Sequence, residues 1–353
     1  MISNPPEMPT GKLRMAPACY HVLHLVPVMV AHEMNFFYDE GLKDAEGNLA
    51  YEIAPGGLVP FGFEKAGLVK AMEEKGIDIA LDILTPTVFF QRSRGADLYI
   101  IAGWRNQSAH VWVGGPEVKS LRDLKGRRIG VIEIGGVTYR GIKTWVRKAG
   151  LDPDRDVEWI APVYPPSNID ALRKGAIHAV FVHSWQAEEL KREGFNILIS
   201  LKEQYPNGRP DRIIAASGKT IESRPDLVKG FLKGMIRAYW YMRDQPKNFE
   251  YVYNLERRLR RQSPNADERR SKQIGGSPRQ MEAMPFPIDG LPTGFEELLE
   301  EEKEAGELDF NVPDVKDVCD LNLVKEAFKE LKEREELKAE FERVSAVVRR
   351  LGY

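Results

Sequence analysis

Hydrophobic positions along this chain fall into two alternating rhythms. Short apolar runs of strand length occur at 12–20 (KLRMAPACY), 49–54 (LAYEIA), 77–83 (IDIALDI), 98–104 (LYIIAGW), 127–134 (RRIGVIEI), 157–163 (VEWIAPV) and 213–217 (IIAAS). Between them lie segments whose apolar residues recur every three or four positions, the spacing of a helix with one buried face. These are 63–76 (FEKAGLVKAMEEKG), 136–150 (GVTYRGIKTWVRKAG) and 225–242 (PDLVKGFLKGMIRAYWYM). The first two end in glycine, a common helix stop. Pro27 predicts a further helix over about 26–38, because proline is tolerated in a first helical turn, with its end near Gly41. PGG at 55–57 is a turn.

The pattern repeats. AGLVKAMEEKGIDIALDI (66–83) is echoed by SNIDALRKGAIHAVFVHS (167–184): a helix, a Lys-Gly turn, a short buried strand, then a polar loop, TPT at 85–87 and HSWQ at 183–186. Strands alternating with helices indicate a parallel-rich α/β sheet. Two rounds of the same order predict two similar lobes, with the loops at the carboxyl ends of the strands facing a shared crevice. The expected division is 1–113 for lobe one, 114–210 for lobe two and 211–353 for the return to lobe one, whose charged helices pack on its outside.

Composition narrows the classes of function. The 353 residues suffice for two cores, and 42% hydrophobic with 29% charged residues is ordinary for a globular protein. With 51 basic and 53 acidic residues the net charge is −2, which argues against nucleic acid or an anionic membrane surface as a general partner. The basic run at 256–279 is interspersed with Glu256, Asp267 and Glu268 and reads as a solvated helix and loop. Cys19 and Cys319 form no metal or redox motif. The most apolar early stretch, VLHLVPVMV, is too short to span a bilayer, and the N-terminus lacks the layout of an export signal. A cytoplasmic location is therefore expected for the chain as written, and a periplasmic one if an export signal has been trimmed.

DLKGRRIGV, the Gly-Thr turn after it, KAGLDPDRDVEWI and IDALRKGAIHAVFV, in that order, resemble the substrate-binding proteins of ABC transporters. The similarity is to the sulfonate, nitrate and thiamine-pyrimidine-precursor class. HEMNFFYDEGL and GIDIALD followed by Thr85-Pro86 add to it, and the resemblance covers about 12–242. It implies a bilobal type-II periplasmic-binding-protein-like fold, with a ligand held in an interlobe cleft that closes on a hinge. It also implies an ABC permease as partner, and neither a cofactor nor a metal.

Loops at strand ends supply the candidate ligand contacts: Tyr20 and His21, Thr85, Trp104 and Arg105, Gly135, Gly136, Thr138 and Tyr139, Tyr164, His183 and Trp185. Backbone N–H groups at a helix start attract a carboxylate, sulfonate or phosphate, and glycine lets the ligand come close. VIEIGGVTYRG (131–141) offers such a start, and it matches neither the Walker A nor the dinucleotide pattern. Thr138 either contacts the ligand or caps the helix. Arg105 either forks onto an anion or forms an internal salt bridge. Tyr20, Trp104, Tyr139, Tyr164 and Trp185 suggest walls for an aromatic or heteroaromatic carboxylate or sulfonate.

Two functions fit. The first is the substrate-binding component of an ABC-type uptake system. The second is a cytoplasmic enzyme on the same fold, a decarboxylase or pyrimidine-synthase-like protein, with His21, His110 and His183 as acid or base. The cysteine-rich run of the pyrimidine synthases is absent, no nucleophile–base pair is evident, and binding is the expected role.

Overall fold

The computed structural model describes residues 11–17, 22–54, 58, 67–106, 110–132, 134, 137–163, 167–206, 208–244, 248–262, 287–305 and 314–351. They divide into two compact units. The first comprises Met1–Asn106, Pro210–Thr293 and Val312–Tyr353, the second Gln107–Arg209 and Gly294–Asn311. The first crossing thus falls at 106/107 rather than 113/114, because HVWVG, not anticipated as a strand, pairs within the second sheet. Residues 294–311 also belong to the second unit, where the helix Phe295–Ala305 packs on the helix Val137–Lys148.

The first unit contains strands β1 (Leu13–Pro17), β2 (Tyr51–Ile53), β3 (Ile79–Leu84), β4 (Tyr99–Arg105) and, after the excursion through the second unit, β10 (Arg212–Ala216). Their order is β2-β1-β3-β10-β4. The second unit contains β5 (His110–Gly114), β6 (Arg127–Gly130), β7 (Val157–Ile160), β8 (Ala179–His183) and β9 (Asn196–Ser200), in the order β7-β6-β8-β5-β9. In each five-stranded sheet four strands share one direction and the remaining one, β10 or β5, is inserted antiparallel to both its neighbours. The sheets are mixed through that one inserted strand, and they are copies of one topology.

Burial follows the alternation of side chains across a strand. In the second unit Val111, Val113, Val180 and Val182 face Leu172, Ala187 and Leu190. Trp112, Ala179 and Ile129 face the opposite way, toward Tyr139, Ile142 and Val146 of the helix Val137–Lys148. In the first unit every residue of β3 is buried, as expected of a strand covered on both faces.

Two local expectations are corrected. Pro27 does not open its helix but lies inside Val22–Glu33, which ends before Asn35 in left-handed backbone. An internal proline costs about 3 kcal/mol. Burying Val26, Val28, Val30 and Ala31 completely outweighs it, at about 25 cal/mol per Å² of apolar surface. Second, TPT and HSWQ are not loops. β3 passes directly into the helix Thr85–Ser93 and β8 into the helix Ser184–Arg192. The repeat is therefore one helix longer in each copy than the sequence pattern suggests.

Asp82 breaks the regularity of β3. Its φ is +59°, and there two residues, Leu81 and Asp82, stand opposite Ile214 alone. This is a bulge, and aspartate is among the residues that tolerate left-handed backbone best. It lies two residues before the strand gives way to its helix.

Candidate functional site

In each unit two helices begin where parallel strands end. Val22–Glu33 follows β1 and Thr85–Ser93 follows β3; Val137–Lys148 follows β6 and Ser184–Arg192 follows β8. The first N–H groups of a helix have no partner within it and carry partial positive charge. The carboxyl edge of each sheet is thus favourable to an anion before any side chain is considered.

In the first unit the strand register brings Leu84, Arg212 and Arg105 side by side at that edge. Thr85 is fully buried and its hydroxyl donates to the Pro210 carbonyl. Arg105, 3% exposed, is held by Asp211 at 3.1 Å, so the internal salt bridge is the arrangement present. Arg212 stands 4.0 Å from the same carboxylate and its Nη1 donates to the Asp82 carbonyl at 3.3 Å. Trp104 is fully buried and edge-on to Tyr239, with ring centroids 6.4 Å apart. Burial, with the Asp82 charge added, pushes the Tyr239 phenol well above its ordinary range, so it is a neutral donor to the Gly103 carbonyl. Tyr20 and His21 lie outside the described residues.

In the second unit Tyr139 is buried beneath its helix and packs edge-on to Trp159 at 4.7 Å. Lys143 lies over the Tyr139 ring and pairs with Asp154 at 2.9 Å. Gly135, Gly136 and Tyr164 lie outside the described residues. Thr138 and Trp185 occupy first turns, of Val137–Lys148 and Ser184–Arg192. His110 and His183 are direct register partners across β5 and β8. The sequence offers these two histidines as residues of separate loops, and the ladder makes them neighbours.

Gln186 was not among the candidates. Three residues after His183, it completes a reciprocal cap in which its Oε1 accepts the His183 backbone N–H at 3.0 Å. The i, i+3 spacing of a capping box is the signal that points to it. Its side chain is 4% exposed and Nε2 has no hydrogen-bond partner.

Two concavities of the first unit lie at the other end of its sheet. A groove of about 610 Å³ runs past Tyr99, Gly218 and Asp320, and a second of about 420 Å³ past Asp78, Leu98 and Arg224. Both are next to the start of β3 and β4, where the helix Gly218–Ser223 follows the antiparallel β10, and not at the start of Thr85–Ser93. Among the described residues no cluster of His, Cys, Asp and Glu is arranged to hold a metal, and no helix is long and apolar enough to cross a membrane.

Comparison with known proteins follows the same outline. No curated protein sequence matches the chain. Among solved structures, the periplasmic sulfonate-binding protein SsuA of a sulfonate ABC transporter from Methylobacillus flagellatus KT has a TM-score of 0.59 at 16% identity, over 92% of this chain and 96% of that one. The periplasmic nitrate-binding protein NrtA from Synechocystis PCC 6803 has a TM-score of 0.58 at 18% identity, over 94% and 91%. The desulfurization enzyme DSZB has a TM-score of 0.54 at 13% identity, over 90% and 99%. At these identities the likeness is one of fold, the two-lobed type-II periplasmic-binding-protein fold. The family model described as "NMT1/THI5 like" matches residues 23–249, well over half of the chain, and the protein belongs to the NMT1/THI5-like family.

Proposed function

We propose that this protein binds a small organic anion as the substrate-binding component of an ABC-type uptake system, and hands it to a membrane permease. The observation that carries the reading is the doubled arrangement of helix N-termini at the carboxyl ends of β1, β3, β6 and β8. Such ends favour negative charge by about 0.3–1 kcal/mol each, and more when partly buried. The fold relatives named for sulfonate and nitrate bind oxyanions, which this arrangement suits. Thr138 in the first turn of Val137–Lys148 and His183 at the cap of Ser184–Arg192, together with Gly136, which precedes Thr138 by two residues in the sequence, are the proposed anion contacts. Trp104 and Tyr139 are engaged in internal packing. An aromatic ligand would therefore be recognised by Tyr20, Tyr164 and Trp185.

Native mass spectrometry of the purified protein tests this. The expected result is a small anion that is retained by the folded chain and exchanges with an added sulfonate or carboxylate. Absence of any bound mass, with no uptake of nitrate, methanesulfonate or benzoate, would overturn the reading.

The register pairing of His110 with His183 favours a second reading, an enzyme on the same fold. Facing residues of an antiparallel pair have Cβ atoms about 5 Å apart, close enough to share a proton relay. Incubating the same complex separates the two. A ligand whose mass changes with time, and does so no longer in His183→Ala, identifies a catalyst; a ligand released unaltered identifies a binder.

A further inference from the structure

We infer that Gln186 is a ligand-binding residue: its side-chain amide, at the N-terminus of the helix Ser184–Arg192, donates to an oxygen of a bound oxyanion. The inference rests on the anion-binding function proposed above and assigns one of its contacts.

The amide's orientation is fixed by its partner. The His183 backbone N–H is a donor, so the atom facing it at 3.0 Å must be the carbonyl oxygen Oε1. Nε2, with two protons to give, is then the free end. It is buried with no acceptor, in a side chain only 4% exposed. A buried amide left unpaired costs about 1–3 kcal/mol. That cost is unnecessary for capping alone, because a glutamate at this position would accept the same N–H and suit the positive end of the helix better. A glutamine here sacrifices part of the cap energy and retains a donor.

The matching place in the first unit differs. There the helix Thr85–Ser93 follows β3 as Ser184–Arg192 follows β8, but the residue three places after its N-cap Leu84 is Thr87, which carries no side-chain amide. The amide donor belongs to the second unit's copy. A carboxylate or sulfonate oxygen at that helix start would receive the Nε2 hydrogen together with the first-turn N–H groups.

The variant Gln186→Glu tests this. It keeps the accepting oxygen for His183 and replaces the donor with a second anionic oxygen. Isothermal titration of the full chain with methanesulfonate, nitrate and benzoate gives the readout, alongside thermal unfolding. The expected result is wild-type binding of at least one probe, weakened at least tenfold in Gln186→Glu, with an unchanged or raised melting temperature. Equal affinity in the two proteins would overturn the role of Gln186 and leave the proposed function standing. Failure of the wild type to bind any probe would overturn both. If Gln186→Glu does not fold, the Gln186 side-chain NH₂ signal of the 15N-labelled wild type decides. A shift on adding the bound probe supports the contact, and a silent signal overturns it.

Discussion

Truncating Arg105 to alanine would deprive the buried Asp211 carboxylate of a guanidinium 3.1 Å away. Removing one partner of a buried pair costs about 3–5 kcal/mol. Arg212, 4.0 Å from the same carboxylate, softens the loss toward the lower figure. The expected outcome is a clearly lowered urea midpoint; an unchanged midpoint with lost anion affinity would instead make Arg105 a ligand clamp. Glu40 presents buried charge in another form. Its side chain is fully buried and meets Arg334 through two contacts of 2.7 Å, Arg237 at 2.9 Å and Lys233 at 3.6 Å. Burial alone would raise its carboxyl, but hydrogen bonds and charge from Arg334 and then Arg237 hold it below the ordinary value of 4.5. The unfolded chain therefore takes up this proton first. The stabilisation is complete above pH 4.5 and is lost as pH falls from there through the lower folded value. Chemical denaturation between pH 7 and pH 3 should show that decline in wild type and a smaller one in Glu40→Gln, which starts about 3 kcal/mol less stable. Neither partnership is legible in the sequence, because Arg105 meets Asp211 and Glu40 meets Arg334 only after distant segments have packed.

The helix Pro225–Arg243 shows why an element's residues answer to its neighbours. Gly230 and Gly234 lie in its interior, where glycine costs about 1 kcal/mol against alanine. A Cβ on Gly230 would stand 2.5 Å from the Glu40 carbonyl, and one on Gly234 2.5 Å from the Phe37 ring. The two glycines let this helix lie directly on the segment Phe36–Leu42. Gly230→Ala should therefore lose about 1–3 kcal/mol through overpacking, despite its better helix propensity. A raised melting temperature would show that the backbone of Glu40 yields. Period and punctuation in the sequence were enough to place β1, β3, β4, β8 and the helices Val137–Lys148 and Pro225–Arg243 to within a few residues. They fail where no punctuation exists. β3 and β8 pass into helices without an intervening turn, and HVWVG is set off from β4 by only a few polar residues. Of the candidate site, the start of Val137–Lys148 was legible as glycine and threonine after a strand, whereas the starts of Thr85–Ser93 and Ser184–Arg192 read as polar loops. The pairing of His110 with His183 was not legible, since register between strands about seventy residues apart leaves no local trace.

For the molecule as a whole, the doubled order of elements along the chain foretold two like units, while the mixed direction of their sheets stayed hidden. The reason is that the inserted antiparallel strand of each sheet comes from the far side of a crossing. β5 follows at once on the first unit's β4, and β10 follows on the second unit's first segment, Gln107–Arg209. The position of β10 between β3 and β4 has a consequence for a chain made from its amino end. When β4 emerges from the ribosome, the strand that must separate it from β3 lies about a hundred residues ahead. At translation rates of about 5–20 residues per second, that place stays empty for roughly 5–20 s. All five strands of the second sheet are synthesised within that interval, so the later sheet is the first able to close. Meanwhile β3 and β4 each keep an open hydrogen-bonding edge, the kind of edge that pairs with other chains. The nascent first unit thus depends on the translation time of the second, and the facing edges of β3 and β4 are covered only when β10 is delivered.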